Sequence, residues 1–571
     1  MNGRSTCFTC RTDSAARSPK APNWSGSVST YSGSCPPCRG TPSRIRRLPE
    51  PAPGIRRLFA PVATVGGLTL ASRALGLVRD LLIAAALGAG PLADAFFLAL
   101  RLPNLFRALF AEGAFSAAFV PVFAARLEQE GPDAARAFGA AVASVLLIVL
   151  VPFTLLAEWL MPTVVAVLAP GFPETGERFQ AALSLARITF PYLALITMTA
   201  FFAAVLNAIF RFAAAAAAPL LLNLSLIGAL LLAAGWFETP AHALVWGVLV
   251  GGVAQLALVS VDCWRAGMPI LPGRPRLTPE LRKFGRLMVP GVIGSGVTQF
   301  NVVIGTMFAS VVPGAVAWLN YAHHLVHLPI AVVGLAVRTA LLPALARRLH
   351  GADAATGQAE QQQATAIALG LSVPAAVGLW AVAELAIEVL FERGSFTPAD
   401  TVATAAALRA YAWGLPAMVL AQALVASFFA RFDTSTPVKV AAAAMLVNVA
   451  FIVLLMPTLG HVGIALAQSV SACAQAGLLT VLVVRRGYAR ISPEAVGKGI
   501  RVVLAAAPLV ALAYVADPLR AEFAAVGPFA GAATLAVLVT SGVAGFAVLA
   551  LAFGVVRRGD VTAALRRFRS R

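Results

Sequence analysis

Charged residues are scarce in this 571-residue chain: Asp, Glu, Lys and Arg together make up 12% of it, about half the share found in an ordinary soluble domain. Hydrophobic residues make up 59%, and the mean hydropathy is +0.82. This composition excludes a soluble globular protein and a disordered one. It is typical of a polytopic membrane protein.

Cysteine is also rare, and its placement excludes a disulfide framework. Four of the six cysteines lie in the first 57 residues as two C-x-x-C pairs: Cys7, Cys10, Cys35 and Cys38. Such pairs are a zinc signature, but the gap between these two exceeds the common spacing and holds almost nothing apolar. Residues 1–57, rich in Ser, Pro, Arg and Gly, are therefore predicted to be a disordered tail or the product of an overlong start.

Long apolar runs dominate the rest of the chain, and a bilayer-spanning helix needs about 20 apolar residues. The runs predict an all-α polytopic membrane protein with about fourteen transmembrane helices. The predicted spans are 58–87, 92–127, 134–161, 181–208, 215–236, 241–264, 284–311, 314–346, 362–391, 400–430, 436–457, 461–485, 498–516 and 526–556.

Acidic residues number 25 against 44 basic ones, a net charge of +19. The basic residues concentrate in alternate connections: Arg126, Arg136, Arg211, Arg265, Arg274, Arg276, Arg282, Lys283, Arg286, Arg347, Arg348, Arg431, Lys439, Arg485, Arg486, Arg490 and Lys498, followed by the basic tail 557–571. The opposite connections hold only Arg178, Arg393 and Arg520. This asymmetry predicts a multi-pass membrane protein with both termini in the cytoplasm. It also accounts for the positive charge without a nucleic-acid partner.

An internal repeat divides the predicted spans into two similar halves. FVPVFAARL around Pro121 resembles LLPALARRL around Pro343, an offset of 222 positions (343 minus 121), and VLNAIFRF resembles VASFFARF at nearly the same offset. Six spans separate equivalent points, so the halves share one orientation and enclose a central cavity. We predict a six-helix lobe at 58–264, a second at 284–486, and two extra C-terminal helices at 498–556.

Charges inside the first two spans mark a candidate site, because a charge at the bilayer centre is costly and normally faces a protein interior or a cavity. The stretch contains Arg73, Arg79, Asp80, Asp94, Arg101, Arg107 and Glu112. Arginine exceeds the acids, which favours an anionic ligand such as a phosphate or pyrophosphate. The alternative is structural: adjacent charges pair, or reach the interface from helix ends.

The second half offers NYAHHLVHLP and, fourteen residues after His324, Arg338. His323 and His327 are spaced i, i+4, but neither Glu nor Cys accompanies them, so a metal site is disfavoured. A polar cavity wall is the preferred interpretation, with His324 and Arg338 as cationic candidates. No cofactor is predicted, and the sequence does not identify a coupling ion.

SRALGLVRD, GAGPLADAFFLALRLPNLFRALFAEGAFSAAFVPVF, LFERGSFTPAD and ARFDTSTPVK together resemble the MurJ (MviN) family of lipid II flippases, within the multidrug/oligosaccharidyl-lipid/polysaccharide exporter superfamily. The resemblance covers residues 58 to about 556. It implies a non-enzymatic transporter that moves undecaprenyl-pyrophosphate-linked peptidoglycan precursor to the outer leaflet by alternating access, in cell wall biogenesis. On the matching positions it implies that Arg73, Arg79 and Arg107 contact the pyrophosphate, with Asp94 shaping the site and Glu112 gating it.

The sequence departs from the family pattern after Tyr321 and Ala322, where an acid and an arginine are often found and this chain has His323 and His324. A permanent cation is thus replaced by a titratable one, and Arg338 is a candidate substitute. Three other interpretations stay open: an exporter of another lipid-linked oligosaccharide, a drug/cation antiporter, and a scaffold for the cell-wall synthesis or division machinery. A membrane glycosyltransferase is disfavoured because the outward connections are short.

Overall fold

The structure is a computed structural model, and it describes residues 55–110, 114–273, 279–331, 354–431, 433–489, 492–524 and 528–555. These residues form helices joined by short connections, and no strand occurs among them. The predicted all-α fold class is confirmed. Residues 1–54 and the basic tail 557–571 lie outside the described residues.

The first half of the chain is built from nine helices within the described ranges. They are α1 (Ile55–Leu87), α2 (Pro91–Phe110), α3 (Ala114–Gln129), α4 (Pro132–Trp159), α5 (Met161–Leu168), α6 (Glu177–Thr189), α7 (Tyr192–Ala208), α8 (Ala213–Gly228) and α9 (Pro240–Arg265). The predicted span 181–208 is broken between α6 and α7 next to Pro191, whose ring cannot supply the N–H of a continuous helix.

The second half repeats this order and then adds the extra C-terminal helices. They are α10 (Pro279–Ala309), α11 (residues 315–331), α12 (Ala354–Ala381), α13 (Ala383–Phe391), α14 (Pro398–Phe429), α15 (Ser435–Leu459), α16 (His461–Arg485), α17 (Pro493–Ala506), α18 (Ala511–Ala524) and α19 (Pro528–Ala552). A 3-10 turn at Ala507–Val510 joins α17 to α18.

Ten helical stretches of the described residues are long and apolar enough to cross a membrane. They are Pro132–Trp159, Glu177–Ala208, Ala213–Trp236, Pro240–Arg265, Gln361–Ala381, Pro398–Phe429, Ser435–Leu459, His461–Arg485, Pro493–Ala516 and Ala530–Ala552. The other four predicted spans fall on helices that carry the intramembrane charges (α1 and α2 with α3) or that border residues outside the described ranges (α10 and α11). The total of fourteen stays a prediction.

Helix packing follows the repeat. In the first half α7 and α8 pack against α9, and α2 lies along α6; in the second half α14 packs against α12 and α16, and α15 lies along α16. Helix α10 contacts both halves, because it packs against α3 and α2 as well as α15. We call α1–α9 the first lobe and α10–α16 the second lobe; the predicted boundaries 58–264 and 284–486 stay predictions.

The two loop motifs of the second half, LFERGSFTPAD and ARFDTSTPVK, contain residues that cap the N-termini of the helices that follow. Thr397 and Asp400 form a capping box at the start of α14. Asp433 accepts hydrogen bonds from the hydroxyl and the backbone N–H of Thr436 at 2.7 and 3.0 Å, and these bonds hold the pKa of Asp433 well below its usual range. Both motifs therefore fix helix starts, as polar N-terminal side chains commonly do.

The connections lie at two ends of the molecule. The outer end, named from the charge pattern, comprises the connections 88–90, 169–176, 310–314 and 392–397. The inner end comprises 209–212, 266–273 and 486–489. A cluster of phenylalanines packs the two lobes together, with the ring of Phe119 edge-to-face against Phe201 at 5.4 Å and against Phe284 of α10 at 6.3 Å between centroids.

Candidate substrate site and the seal between the lobes

A cluster of polar side chains is built on the middle of α1. The guanidinium of Arg79 donates to Asp80 Oδ1 through Nε at 3.0 Å and Nη2 at 2.7 Å. Its third nitrogen, Nη1, donates to Asn223 Oδ1 on α8 at 2.9 Å. Asn223 in turn donates to the Ser72 carbonyl at 2.9 Å. The planar guanidinium is therefore held in one orientation by two helices, which suits paired recognition of an anion.

The second lobe joins this cluster through His324 of α11. His324 Nδ1 lies 2.8 Å from Asp80 Oδ2, so the two oxygens of one carboxylate bind side chains of different lobes. Asp80 is buried, whereas the His324 side chain is 38% exposed. The structure thus brings together Arg79 and His324, which were predicted as site residues from different halves, through an acid that was not on the predicted list.

The other predicted arginines of the first lobe lie on either side of this cluster. Arg73 is exposed on α1 and within electrostatic range of His327. Arg107, near the end of α2, donates to Asn104 Oδ1 at 3.1 Å. The phenol of Tyr192 lies within electrostatic range of both Arg107 and Arg79. Arg79 and Arg107 therefore lie near the same tyrosine of the first lobe, and Arg73 lies near a histidine of α11.

Arg101 also crosses between the lobes, although it was not predicted as a site residue. Its Nη1 donates to the hydroxyl of Thr306 on α10, and it lies within electrostatic range of Tyr411 and His323. An arginine in the middle of an apolar helix was the signal available in the sequence. What the sequence did not show is that its partner belongs to the other half of the chain.

Asp94 lies at the outer end and is completely buried. Its Oδ2 accepts the backbone N–H of Gly314 at 2.7 Å, and its Oδ1 accepts that of Ala317 at 2.9 Å. Asp94 therefore caps the N-terminus of α11 from the other lobe, where the free N–H groups and the helix dipole favour a negative charge. Arg178 of α6 approaches the same carboxylate at 3.8 Å.

Main-chain contacts complete a seal around Asp94. The hydroxyl of Tyr321 donates to the Gly88 carbonyl at 3.0 Å, and the backbone N–H of Ser395 donates to the Ala85 carbonyl at 2.8 Å. The backbone N–H of Gly171 donates to Ser310 Oγ at 3.0 Å. We call these contacts and the Asp94 cap the outer seal. They close the outer end between the lobes, and they place the turn of LFERGSFTPAD in the interface as well as in helix capping.

The backbone at Gly394 requires glycine for two reasons, its φ of 59° and its approach to the first lobe, where an added Cβ would lie 2.3 Å from the Ala85 oxygen. We expect Gly394→Ala to lower the apparent melting temperature of the purified protein far more than Gly460→Ala does. Gly460 also has a positive φ, 55° with ψ −131°, but a Cβ there would meet no atom within 4 Å, so its replacement costs about 1–3 kcal/mol of backbone strain alone. Equal shifts for the two variants would contradict a close contact at the outer seal.

Two predicted site residues, Glu112 and Arg338, lie outside the described residues. His323 and His327 face each other with ring centroids 4.2 Å apart. Among the described residues no group of three or more His, Cys, Asp or Glu side chains is arranged to hold a metal ion. The C-x-x-C pairs of the N-terminal tail are outside the described residues.

The chain matches known proteins over most of its length. A model of the family described as lipid II flippase MurJ matches residues 83–526. The probable lipid II flippase MurJ of Rhizobium meliloti (strain 1021) is 42% identical over 501 residues, which are 86% of this chain and 93% of that protein. The lipid II flippase MurJ of Burkholderia cenocepacia is 36% identical over 445 residues, which are 76% of this chain and 86% of that protein.

Solved structures share the fold. A lipid II flippase MurJ in an inward closed conformation aligns with a TM-score of 0.72 and 22% identity over 86% of this chain and 98% of that chain. An inward-facing multidrug resistance transporter of the MATE family aligns with a TM-score of 0.63 and 16% identity over 73% of this chain and 94% of that chain. The relatives are transporters rather than enzymes. With a family model covering most of its length and relatives above one-third identity, the chain belongs to the MurJ family of lipid II flippases.

Proposed function

We propose that this protein moves lipid II, the undecaprenyl-pyrophosphate-linked peptidoglycan precursor, from the inner to the outer leaflet by alternating access. The observation that carries the proposal is the cluster of Arg79, Asp80 and His324, which joins the lobes through charged side chains inside an apolar bundle. Family membership supports the same cargo. A basic cluster disfavours organic cations as substrates, because like charges repel.

The cluster offers a way to couple binding to lobe movement. A pyrophosphate competes with Asp80 for the Arg79 guanidinium, since both are anions suited to paired hydrogen bonds. When Asp80 loses Arg79, His324 is left as its one remaining side-chain partner among those described, and keeping this acid buried between the lobes becomes less favourable. Substrate binding would therefore act directly on the interface that must rearrange during transport.

Each remaining site prediction has a place in this scheme. We assign Arg73 and Arg107 to the same pyrophosphate because both lie near the cluster, and His324 to the second-lobe side of the site. Asp94 acts at the outer seal, where its two backbone hydrogen bonds support a gating role. Glu112 is proposed from the resemblance to help gate the site, and Arg338 is proposed from the sequence as a further cation of the second lobe.

The seal supports a transport cycle in which this form is closed at the outer end. Breaking the Asp94 cap and the main-chain contacts around Gly88 and Gly394 would open the outer end for release. We propose the bacterial inner membrane as the location, with both termini in the cytoplasm, because basic residues concentrate at the inner end. Beyond lipid II and membrane lipids, the cell-wall synthesis or division machinery is a proposed partner.

Complementation tests the cargo. In a tractable bacterium depleted of its own lipid II flippase, this chain, with or without residues 1–55, is expected to restore growth and the appearance of lipid II in the outer leaflet. Arg73→Ala and Arg107→Ala are expected to lose that activity at normal protein levels. Arg282→Ala, at an exposed position at the start of α10, is the matched control and should rescue. If the well-expressed parent restores no lipid II exposure, the cargo is another lipid-linked glycan.

The contact between His324 and Asp80 has a separate test. His324 Nδ1 lies 2.8 Å from Asp80 Oδ2, so His324→Ala removes the second-lobe partner of this carboxylate. We expect His324→Ala to impair lipid II export, whereas His324→Arg, which offers the carboxylate a permanent cationic donor, should retain more of it. Equal export by the parent and His324→Ala at equal protein levels would remove His324 from the proposed site.

A further inference from the structure

A groove of about 980 Å³ opens on the surface of the first lobe at the inner end, away from the charged cluster. It runs between the first part of α1, the start of α8 and the last turns of α9. Its walls are mainly apolar and include Val65, Leu68, Ala257, Leu258 and Val261. The volume lies near the upper limit of roughly 300–1,000 Å³ for small-molecule sites.

A space of this kind inside a bilayer does not stay empty. Its apolar walls offer water few hydrogen-bond partners, and an unfilled groove forfeits the dispersion contacts that close packing supplies. The groove follows helices that enter the membrane, so hydrocarbon chains of the surrounding lipid have direct access to it. An acyl chain is therefore the natural occupant of its walls.

The rim of the groove at the inner end is basic. Arg211 and Arg265 both line it. Arg211 Nη2 lies 2.6 Å from Asp262 Oδ1, so that one of the two cations is already paired. The guanidinium of Arg265, at the end of α9, has neither a hydrogen bond nor an ion pair to another residue in the described ranges. A free guanidinium above an apolar groove matches the layout of a phospholipid, with its phosphate above its chains.

The backbone beside the rim is strained. Phe210 is the single described non-glycine residue with a positive φ, at 60°, and its ring is 82% exposed. This left-handed conformation at a helix end usually belongs to glycine. Here it carries an aromatic ring into the groove, and aromatic rings favour the membrane interface. Strain of this kind persists where the surroundings fix it and often marks a ligand site.

We propose that this groove binds one anionic phospholipid of the inner-end leaflet. An acyl chain packs against Leu68 and Leu258, and the phosphate lies beside Arg265 with Arg211 as its second cation. Because α1 forms one wall, the bound lipid contacts the helix that carries Arg79. The site does not depend on what the protein transports.

Native mass spectrometry of the full-length protein tests the proposal with dioleoyl phosphatidylglycerol as the probe and zwitterionic dioleoyl phosphatidylcholine as its comparison. The first phosphatidylglycerol is expected to bind more tightly than phosphatidylcholine. Arg265→Gln should weaken that first step about fivefold, the factor that corresponds to roughly 1 kcal/mol for a basic residue near an anionic lipid. Ala257→Trp, which fills the groove, should abolish it.

Two matched controls separate the groove from the general surface. Arg485 occupies the corresponding helix end of the second lobe, at α16, and Val253 is an exposed residue of α9 outside the groove. Arg485→Gln and Val253→Trp should bind phosphatidylglycerol as the parent does. Should Ala257→Trp fail to fold, as judged by gel filtration, the surface variant Arg265→Gln decides the test.

Three results would overturn the proposal. Equal affinity of the parent and Arg265→Gln for phosphatidylglycerol, or equal affinity of the parent for both lipids, would remove the headgroup contact. Loss of undecaprenyl pyrophosphate instead of phosphatidylglycerol in Ala257→Trp would assign the groove to the transported lipid. Binding that appears only after residues 1–55 are removed would assign it to the chain's own N-terminal segment.

Discussion

Arg79→Ala is expected to abolish lipid II export and to leave the depleted bacterium without rescue. Truncating one partner of a buried, hydrogen-bonded charge pair costs about 2–5 kcal/mol, which corresponds to a fall in transport of at least roughly 30-fold. The loss has two parts. The pyrophosphate loses its best-oriented cation, and Asp80 is left buried with His324 as its remaining ionic partner.

Arg79→Lys is the sharper variant, because it keeps the charge and removes the geometry. A lysine ammonium is a compact point charge and cannot reproduce a planar fork that binds Asp80 on one side and Asn223 on the other. We therefore expect Arg79→Lys to export lipid II far more slowly than the parent. Arg282→Lys, at the exposed start of α10, is the control. Full activity of Arg79→Lys would show that charge alone is needed at this position.

Asp94→Ala is expected to shift the protein toward a form that is open at the outer end. Leaving a buried hydrogen-bonding group without its partner costs about 1–3 kcal/mol, and Asp94→Ala removes the side-chain acceptor of two backbone N–H groups at the start of α11. A loss of roughly 3 kcal/mol changes the ratio of sealed to open molecules by about a hundredfold. Asp94→Asn keeps one acceptor oxygen and should fall between Asp94→Ala and the parent.

Spin labels at exposed outer-end positions of the two lobes measure this shift. The six native cysteines are first replaced, and new cysteines at Thr175 and Ala399 carry the labels. Double electron–electron resonance should then give one short distance between the labels for the parent. Asp94→Ala should add a second population with a longer distance between the labels. Asp133, an acid in the first turn of α4 with a 91% exposed side chain, is the control, and Asp133→Ala should leave the distances unchanged. A single short distance in Asp94→Ala would exclude Asp94 from the seal.

The path of the chain through the membrane could be predicted from the sequence because hydrophobic length and loop charge act locally. The described parts of the predicted spans are largely helical, and the break inside 181–208 lies next to Pro191. Arg79 could be singled out for the same reason: an arginine in an apolar helix is costly wherever it lies. These inferences need only the neighbouring residues.

The partners of the charged residues could not be predicted, because they are distant in the chain or carry no side-chain signature. Asp80 was noted as a charge to be neutralised by arginine, and nothing local indicated that its second oxygen would bind His324. Asp94 was placed with the substrate site by resemblance, whereas its carboxylate binds main-chain N–H groups at Gly314 and Ala317. Backbone donors are present at every residue except proline, so no pattern distinguishes the pair that is used.

That choice of partner has an evolutionary consequence. At position 317 any residue other than proline offers the same N–H, so this hydrogen bond places no demand on the side chain there, which is selected instead by its buried position, whereas position 94 must supply an acid. Pairwise covariation between these two positions should therefore be weak even though they are in direct contact. Maps of residue coupling built from aligned sequences would be expected to leave this contact out, and the gate would have to be located by conformational measurements instead.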